Sequence, residues 1–187
     1  MLLNEKDILR HKPLIAYIEN FMTCSDCDKF IDYAKPLLKK SLIVEKGKEK
    51  IDPARSSSDV WIYKNQLKTN DFFRKTVSEF FDIPDNTFEN TIVINYKQGQ
   101  EYRAHYDYDL HSNNRRATAI CYLNNVDEGG QTIFPRLNIS VKPKKGALLY
   151  FQYDYEETLV NRKTLHVGSK VISNDEKWIT TIWINKL

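Results

Sequence analysis

Thr91-Ile92-Val93-Ile94-Asn95-Tyr96-Lys97-Gln98-Gly99-Gln100-Glu101-Tyr102-Arg103-Ala104-His105-Tyr106-Asp107 is the stretch on which the fold turns. Its first six residues are mostly β-branched or aromatic, which favours a strand. Lys97 to Gln100 reads as a turn around Gly99, and extended structure resumes from Tyr102 to Tyr108. In a strand, residues i and i+2 point to the same side. His105 and Asp107 therefore offer an imidazole and a carboxylate to one face. Asp109 shares that parity but lies roughly 13 Å along the strand from His105. Ligands of one ion each sit about 2 Å from it, so Asp107 is within reach and Asp109 is not.

Outward from this stretch, further short strands follow over Ala117 to Leu123, Thr132 to Pro135, Ile139 to Val141, Ala147 to Tyr153, Thr164 to Val167 and Trp178 to Ile184. Turn residues such as Asp127-Glu128-Gly129-Gly130 separate them. Upstream, Pro13 to Phe21 reads as a strand leading into a turn. Thr23 can cap a helix, with Asp26 favourably placed at its positive end. That helix carries Phe30, Ile31, Ala34, Leu37 and Leu38 on one face, and Pro36 kinks or shortens it. Gly47 to Ser58 reads as a polar loop and Asp59 to Tyr63 as a short strand. Thr69 or Asn70 is the expected cap of a second helix, with Phe72, Phe73, Val77, Phe80 and Phe81 inward and Pro84 at its end. Helices first and many short strands after predict a mainly β barrel or double-sheet jelly roll with helices packed outside. The expectation is one domain, with a helix-rich support over about residues 1–85 and the β core after it.

The chain has 187 residues, 41% of them hydrophobic and 12% aromatic, enough for a sizeable core. A formal charge of +3 without a clustered basic face argues against nucleic acid. No run is long enough to span a membrane, and the N-terminus has no basic start followed by an apolar core. The expected setting is therefore cytoplasmic, with no membrane partner. Richness in Lys, Asn and Ile hints at an AT-rich microbial or viral genome. Cys24, Cys27 and Cys121 are too few and too uneven for a disulfide framework. The Cys24-Ser25-Asp26-Cys27 pair has no second pair to complete a zinc site, and reads as two thiols near a helix start.

A third ligand candidate, His166, lies in the strand-like Leu165-His166-Val167. Two histidines and a carboxylate on one side of a metal match the facial triad of non-haem Fe(II) oxygenases. Alone, a His-x-Asp pair also describes an ordinary strand. Zinc accepts the same donors, but the His-Glu-x-x-His helix common in zinc hydrolases is absent. In the last strand, parity puts Lys177, Ile179, Thr181 and Trp183 on one face and Trp178, Thr180, Ile182 and Ile184 on the other. Lys177 and Thr181 could hold a carboxylate in a dry cavity. The alternative is a lysine that starts the strand and reaches into water.

These stretches, together with Tyr122-Leu123-Asn124-Asn125-Val126-Asp127-Glu128-Gly129-Gly130-Gln131-Thr132-Ile133-Phe134-Pro135, Lys142-Pro143-Lys144-Lys145-Gly146-Ala147-Leu148 and Arg55-Ser56-Ser57-Ser58, resemble the prolyl 4-hydroxylases of the 2-oxoglutarate and Fe(II)-dependent dioxygenases. The likeness is to the collagen-type, plant, algal and viral branch and runs from about Pro13 to the end. It implies a double-stranded β-helix, a cupin-like jelly roll. It implies Fe(2+) held by His105, Asp107 and His166, with 2-oxoglutarate as co-substrate and O2 as oxidant. Lys177 would pair with the distal carboxylate, helped by Tyr96, Thr132, Tyr122 and Thr181. Lysine cannot make the bidentate fork of arginine, so those hydroxyls carry more of the binding. L-ascorbate is the implied reductant, and succinate and CO2 the implied co-products. Arg55, Tyr102, Arg115 and Trp183 are candidates for contact with a proline-rich or collagen-like peptide. The loops over residues 47–58 and 109–116 would close over that peptide. Two competing readings remain open: the same chemistry on a lysyl side chain, small molecule or modified base, and a non-catalytic binding module on this fold.

Overall fold

Burial on both faces of a central sheet sets the architecture. The computed structural model describes residues 3–45, 48–108, 114–153, 155–156, 159–160 and 162–186. Its strands, in chain order, are β1 (Ile8–His11), β2 (Leu14–Ile18), β3 (Lys39–Lys40), β4 (Ile43–Glu45), β5 (Lys48–Lys50), β6 (Ser58–Ile62), β7 (Thr91–Tyr96) and β8 (Tyr102–His105). They continue with β9 (Arg115–Tyr122), β10 (Thr132–Phe134), β11 (Ile139–Val141), β12 (Leu148–Gln152), β13 (Tyr155–Glu156), β14 (Leu159–Val160), β15 (His166–Gly168) and β16 (Lys177–Asn185). The two α-helices are α1 (Cys24–Ala34) and α2 (Lys68–Phe81). An eight-stranded sheet has the order β1-β2-β12-β9-β16-β7-β6-β3, and a four-stranded sheet the order β11-β10-β15-β8. Pairs β4–β5 and β13–β14 stand apart from both.

One face of the large sheet presents Ile92, Ile94 and Tyr96 of β7, Ile120 and Tyr122 of β9, Leu149 and Phe151 of β12, and Ile179 and Trp183 of β16. These pack with Phe134 and Val141 of the small sheet into one apolar cluster. The opposite face presents Val93, Ala117, Ala119, Cys121, Leu148, Tyr150, Trp178, Ile182 and Ile184 to the helices, where Cys27, Phe30, Phe73, Val77 and Phe81 join them. Covering both faces explains why β9, β12 and β16 are buried at nearly every position rather than at every second one. The result is the expected jelly roll, with the helices outside it. Among the described residues, no helix is long and apolar enough to cross a membrane.

α1 begins as its sequence predicts. The Thr23 hydroxyl accepts from the Asp26 backbone N–H at 3.1 Å and donates to the Asp26 carboxylate at 2.7 Å. A short 3-10 turn containing Pro36 follows it. Phe30 of α1 meets Phe73 of α2 edge to face at 6.0 Å, and Phe81 stacks on Tyr150 of β12 at 3.9 Å.

Several expectations need correction. The first half is mixed rather than helix-rich, because β1, β2, β3 and β6 extend the large sheet on both of its sides. The polar stretch read as a loop includes β5, which pairs with β4. α2 starts at Lys68, so Thr69 and Asn70 lie buried inside its first turn and neither caps it. Leu67 stands at the cap position without a side-chain bond, and the Asp71 carboxylate ties the preceding turn to the helix by accepting from the Asn65 N–H at 2.9 Å. Phe72 is 62% exposed, because the inward stripe is set by Phe73, Val77 and Phe81 at four-residue spacing. Asp109, His111 and most of the expected 109–116 loop, like Gly47, lie outside the described residues.

The contrast between the two phenylalanines is measurable. Phe73→Ala is expected to cost about 3–5 kcal/mol, and Phe72→Ala to stay within about 0.5 kcal/mol. Urea unfolding of both variants checks this, and equal losses would contradict the orientation of α2.

Candidate active site

His105 and His166 meet because β8 and β15 pair in a register that sets them opposite each other. Such cross-strand partners have Cβ atoms about 5 Å apart, and the two rings lie 4.2 Å apart between centroids. Asp107 differs from expectation: β8 ends at His105, and the chain bends at Asp107. The bend brings the carboxylate to both imidazoles, Oδ1 at 3.5 Å from His105 Nε2 and Oδ2 at 3.6 Å from His166 Nε2. One donor atom from each residue lies within 4.8 Å of the others, a grouping that could hold a metal ion. Both Nδ1 atoms face backbone oxygens, His105 that of Arg103 at 2.7 Å and His166 that of Thr164 at 3.0 Å. A carbonyl only accepts, so Nδ1 carries the hydrogen and Nε2 presents its lone pair toward the shared centre.

Electrostatics agree with the geometry. Burial would push the Asp107 carboxyl up, but His166, His105 and Arg115 together outweigh it and hold it well below the usual carboxylate range. Burial pushes His166 down to about 4, with His105 adding to the effect and Asp107 opposing it. At neutral pH the site thus offers a carboxylate and an unprotonated His166, the forms that bind metal. Tyr102 stacks on His105 at 3.5 Å, while Phe134 and Phe151 flank His166. Thr118 of β9 donates its hydroxyl to Asp107 Oδ2 at 2.8 Å and also contacts the Tyr153 hydroxyl.

A second, cationic feature lies in the same interior. Lys177 opens β16 opposite Tyr96 and is 2% exposed, so it does not reach into water. Its ammonium stands 5.3 Å from the Tyr96 ring centre and 5.8 Å from that of Tyr122. Gly130 makes room for it: with φ +69° and only 3.4 Å from a would-be Cβ to the Lys177 stem, this position suits glycine. Among the described residues no carboxylate pairs with Lys177, and burial pushes its pKa down to about 7. A buried cation without a counter-charge is costly, and a ligand carboxylate would relieve it. The Tyr122 hydroxyl donates to Thr132 Oγ1 at 2.8 Å, and the buried Thr181 hydroxyl has no partner among the described residues. Tyr96 and Tyr122 are both pushed up by burial and stay protonated donors.

The remaining candidates adjoin the triad, Tyr102 and Arg115 directly and Arg55 and Trp183 through them. Arg115 grips Glu89 through two bonds of 2.5 and 2.6 Å, donates to the Asp107 backbone oxygen at 2.7 Å and lies 4.1 Å over the Trp183 ring. The Trp183 indole N–H is buried without a partner among the described residues, and Trp61 packs 5.8 Å from it. Arg55 lies 5.2 Å over the Tyr102 ring, with its guanidinium bonded to Ser57, Leu42 and Asp59. It therefore braces the Tyr102 ring that stacks on His105. Thr118, Glu89 and Trp61 were missed from sequence. Strand parity with Ile120 and Tyr122 could have found Thr118; nothing in the pattern around Glu89 marks it.

Thr118→Val should weaken divalent-metal affinity about 10–100-fold. Titration of the apo protein with Co(II) or Fe(II) measures this, and unchanged affinity would remove Thr118 from the support of Asp107. A second expectation concerns Lys177. Its pKa is lower folded than unfolded, so between about pH 7 and pH 10.5 the unfolded chain binds more protons and stability rises with pH. Lys177→Met should abolish that part of the rise and stabilise the ligand-free protein near neutral pH. Thermal midpoints across the window, compared between the two proteins, test the sign.

Residues 91–185 match the family model of the 2OG-Fe(II) oxygenase superfamily. A probable prolyl 4-hydroxylase 10 of Arabidopsis thaliana is 32% identical over 95% of this chain and 71% of its own length. Prolyl 4-hydroxylase 5 of the same plant is 30% identical over 96% of this chain and 70% of its own. Among solved structures, the viral collagen prolyl hydroxylase of Paramecium Bursaria Chlorella virus-1, in its 2OG complex, has a TM-score of 0.75 at 31% identity, covering 92% of this chain and 96% of that one. The chain belongs to the prolyl 4-hydroxylase family of 2OG-Fe(II) oxygenases and is a 2-oxoglutarate-dependent dioxygenase.

Proposed function

We propose that this dioxygenase hydroxylates peptidyl proline in proline-rich or collagen-like chains, with His105, Asp107 and His166 holding Fe(II). Lys177 carries the reading. It is a fully buried cation with no counter-charge among the described residues, between the Tyr96 and Tyr122 rings and near enough for its charge to act on His166 of the triad. A dicarboxylate that ligates the metal at one end and neutralises Lys177 at the other satisfies both features. The donor set fits Fe(II), since two imidazoles and one carboxylate leave positions open. Bound Fe(II) with 2-oxoglutarate and O2 supplies C–H oxidation, releasing succinate and CO2, and L-ascorbate is the expected reductant.

The protein's own part is positional. The Arg103 and Thr164 carbonyls fix the imidazoles, and Thr118 fixes the carboxylate. Tyr96, Tyr122 and Thr132 wall the co-substrate pocket with protonated hydroxyls, and the aromatic shell limits water. Next to the triad, Tyr102 stacks on His105, and Arg115, Trp183 and the exposed Trp61 make an aromatic and cationic group. Extended proline-rich ligands suit aromatic-lined grooves, and the relatives named above carry prolyl hydroxylase names.

Purified protein with Fe(II), 2-oxoglutarate and a proline-rich peptide should yield succinate and a peptide heavier by one oxygen atom. Succinate without peptide oxidation would reject this substrate and keep the oxygenase. Lys177→Ala should raise the apparent KM for 2-oxoglutarate at least about thirtyfold, the equivalent of roughly 2 kcal/mol. An unchanged KM would remove Lys177 from the pocket.

A further inference from the structure

Cys24, Cys27 and Cys121 take no part in the dioxygenase site, yet the fold gathers them. Cys24 opens α1 and is exposed, while Cys27, one turn further in, is fully buried. Cys121 lies on the helix-covered face of β9 and is equally buried. The Cys27 and Cys121 sulfurs converge on the Tyr122 backbone oxygen, at 4.0 and 3.9 Å. Lys145, paired with Asp28 at 2.5 Å, carries its ammonium close to both Cys24 and Cys27.

We propose that Cys24 and Cys27 form an exchangeable dithiol–disulfide site, with a low-molecular-weight thiol and its disulfide as co-reactants and Cys121 as the donor that positions Cys27. In the dithiol both S–H groups donate to the Tyr122 oxygen; when Cys27 ionises, the Cys121 S–H beside it is the largest influence lowering its pKa, against burial and the charge of Asp28 and with help from Lys145 and the Gly146 N–H. Burial pushes Cys121 itself well up, so it stays a protonated donor. On oxidation, the Cys24 thiolate attacks the small disulfide, forming a mixed disulfide and releasing one thiolate. The Cys27 thiolate then attacks the Cys24 sulfur and expels the second. Two cysteine thiols are oxidised, one disulfide is reduced to two thiols, and the two protons go to those thiols. In reverse, a small thiolate attacks exposed Cys24 and Cys27 departs, a step that a low pKa favours. Helical positions three apart hold their Cβ atoms about 5–6 Å apart, whereas a disulfide needs about 3.5–4.5 Å. Closing that gap tightens the first turn of α1, which Thr23 pins by accepting from the Asp26 and Cys27 N–H groups.

The test uses the iron-loaded enzyme in glutathione and glutathione disulfide, quenched by alkylation and mapped by mass after cleavage at Lys and Arg. Cys24 and Cys27 fall in one peptide ending at Lys29, and Cys121 in another ending at Arg136. The first should lose the mass of two hydrogen atoms while the second stays unlinked. Cys24→Ser should abolish that change and leave hydroxylation untouched. Cys121→Ala should slow the second step several-fold, so that the mixed disulfide on Cys24 accumulates; Cys121→Ser, which keeps a donor and the packing, should restore it. Wild-type protein that stops at the mixed disulfide, or that links the two peptides, would overturn the proposal. Equal rates in wild type and Cys121→Ala would overturn the part given to Cys121.

Discussion

The pairing of β8 with β15 is the constraint on which the site depends. It fixes His105 opposite His166 before any ion is present, and leaves Asp107 to arrive by a bend just past the strand end. Sheet register is set by which face is buried, and a slip of one strand by one residue would turn its imidazole away from the other. The apolar cluster between the sheets therefore does more than stabilise the chain, since it selects the one register in which the donors converge.

Charge is arranged in two poles within that cluster. The triad contributes an anionic carboxylate, held ionised against burial by its neighbours, and Lys177 contributes an uncompensated cation across an aromatic wall. A ligand with a metal-binding end and a free carboxylate end is complementary to both poles. The ligand-free protein bears the cost of both, which is a common relation between binding sites and stability.

Much of this was legible in the sequence. Period-two alternation located most strands of the core and sorted β16 correctly into the face of Lys177 and the face of Trp178. The same rule set His105 and Asp107 on one side, although the carboxylate arrives by a bend past the strand end, and the strand-like Leu165-His166-Val167 supplied His166. What escaped has physical reasons. Strand pairing is non-local, so nothing within Leu14–Ile18 or Ser58–Ile62 announces that they extend the sheet of the second half. Phe72 and Phe73 are chemically alike, and only the packing of the Phe73, Val77 and Phe81 stripe against the sheet and α1 decides which faces inward. Glu89 and Trp61 act through contacts with Arg115 and Trp183 that are distant in sequence.

β9 carries small residues, Ala117, Ala119 and Cys121, on the side that the helices cover, and Thr118, Ile120 and Tyr122 on the other. Helix layer and reaction chamber thus share a single ribbon of backbone. A bulkier residue on its dry side would lift a helix or shift the ribbon, and the shift would be felt by the threonine and tyrosine on the reverse. Catalysis in this molecule can be detuned by substitutions that never see the substrate, the metal or the solvent.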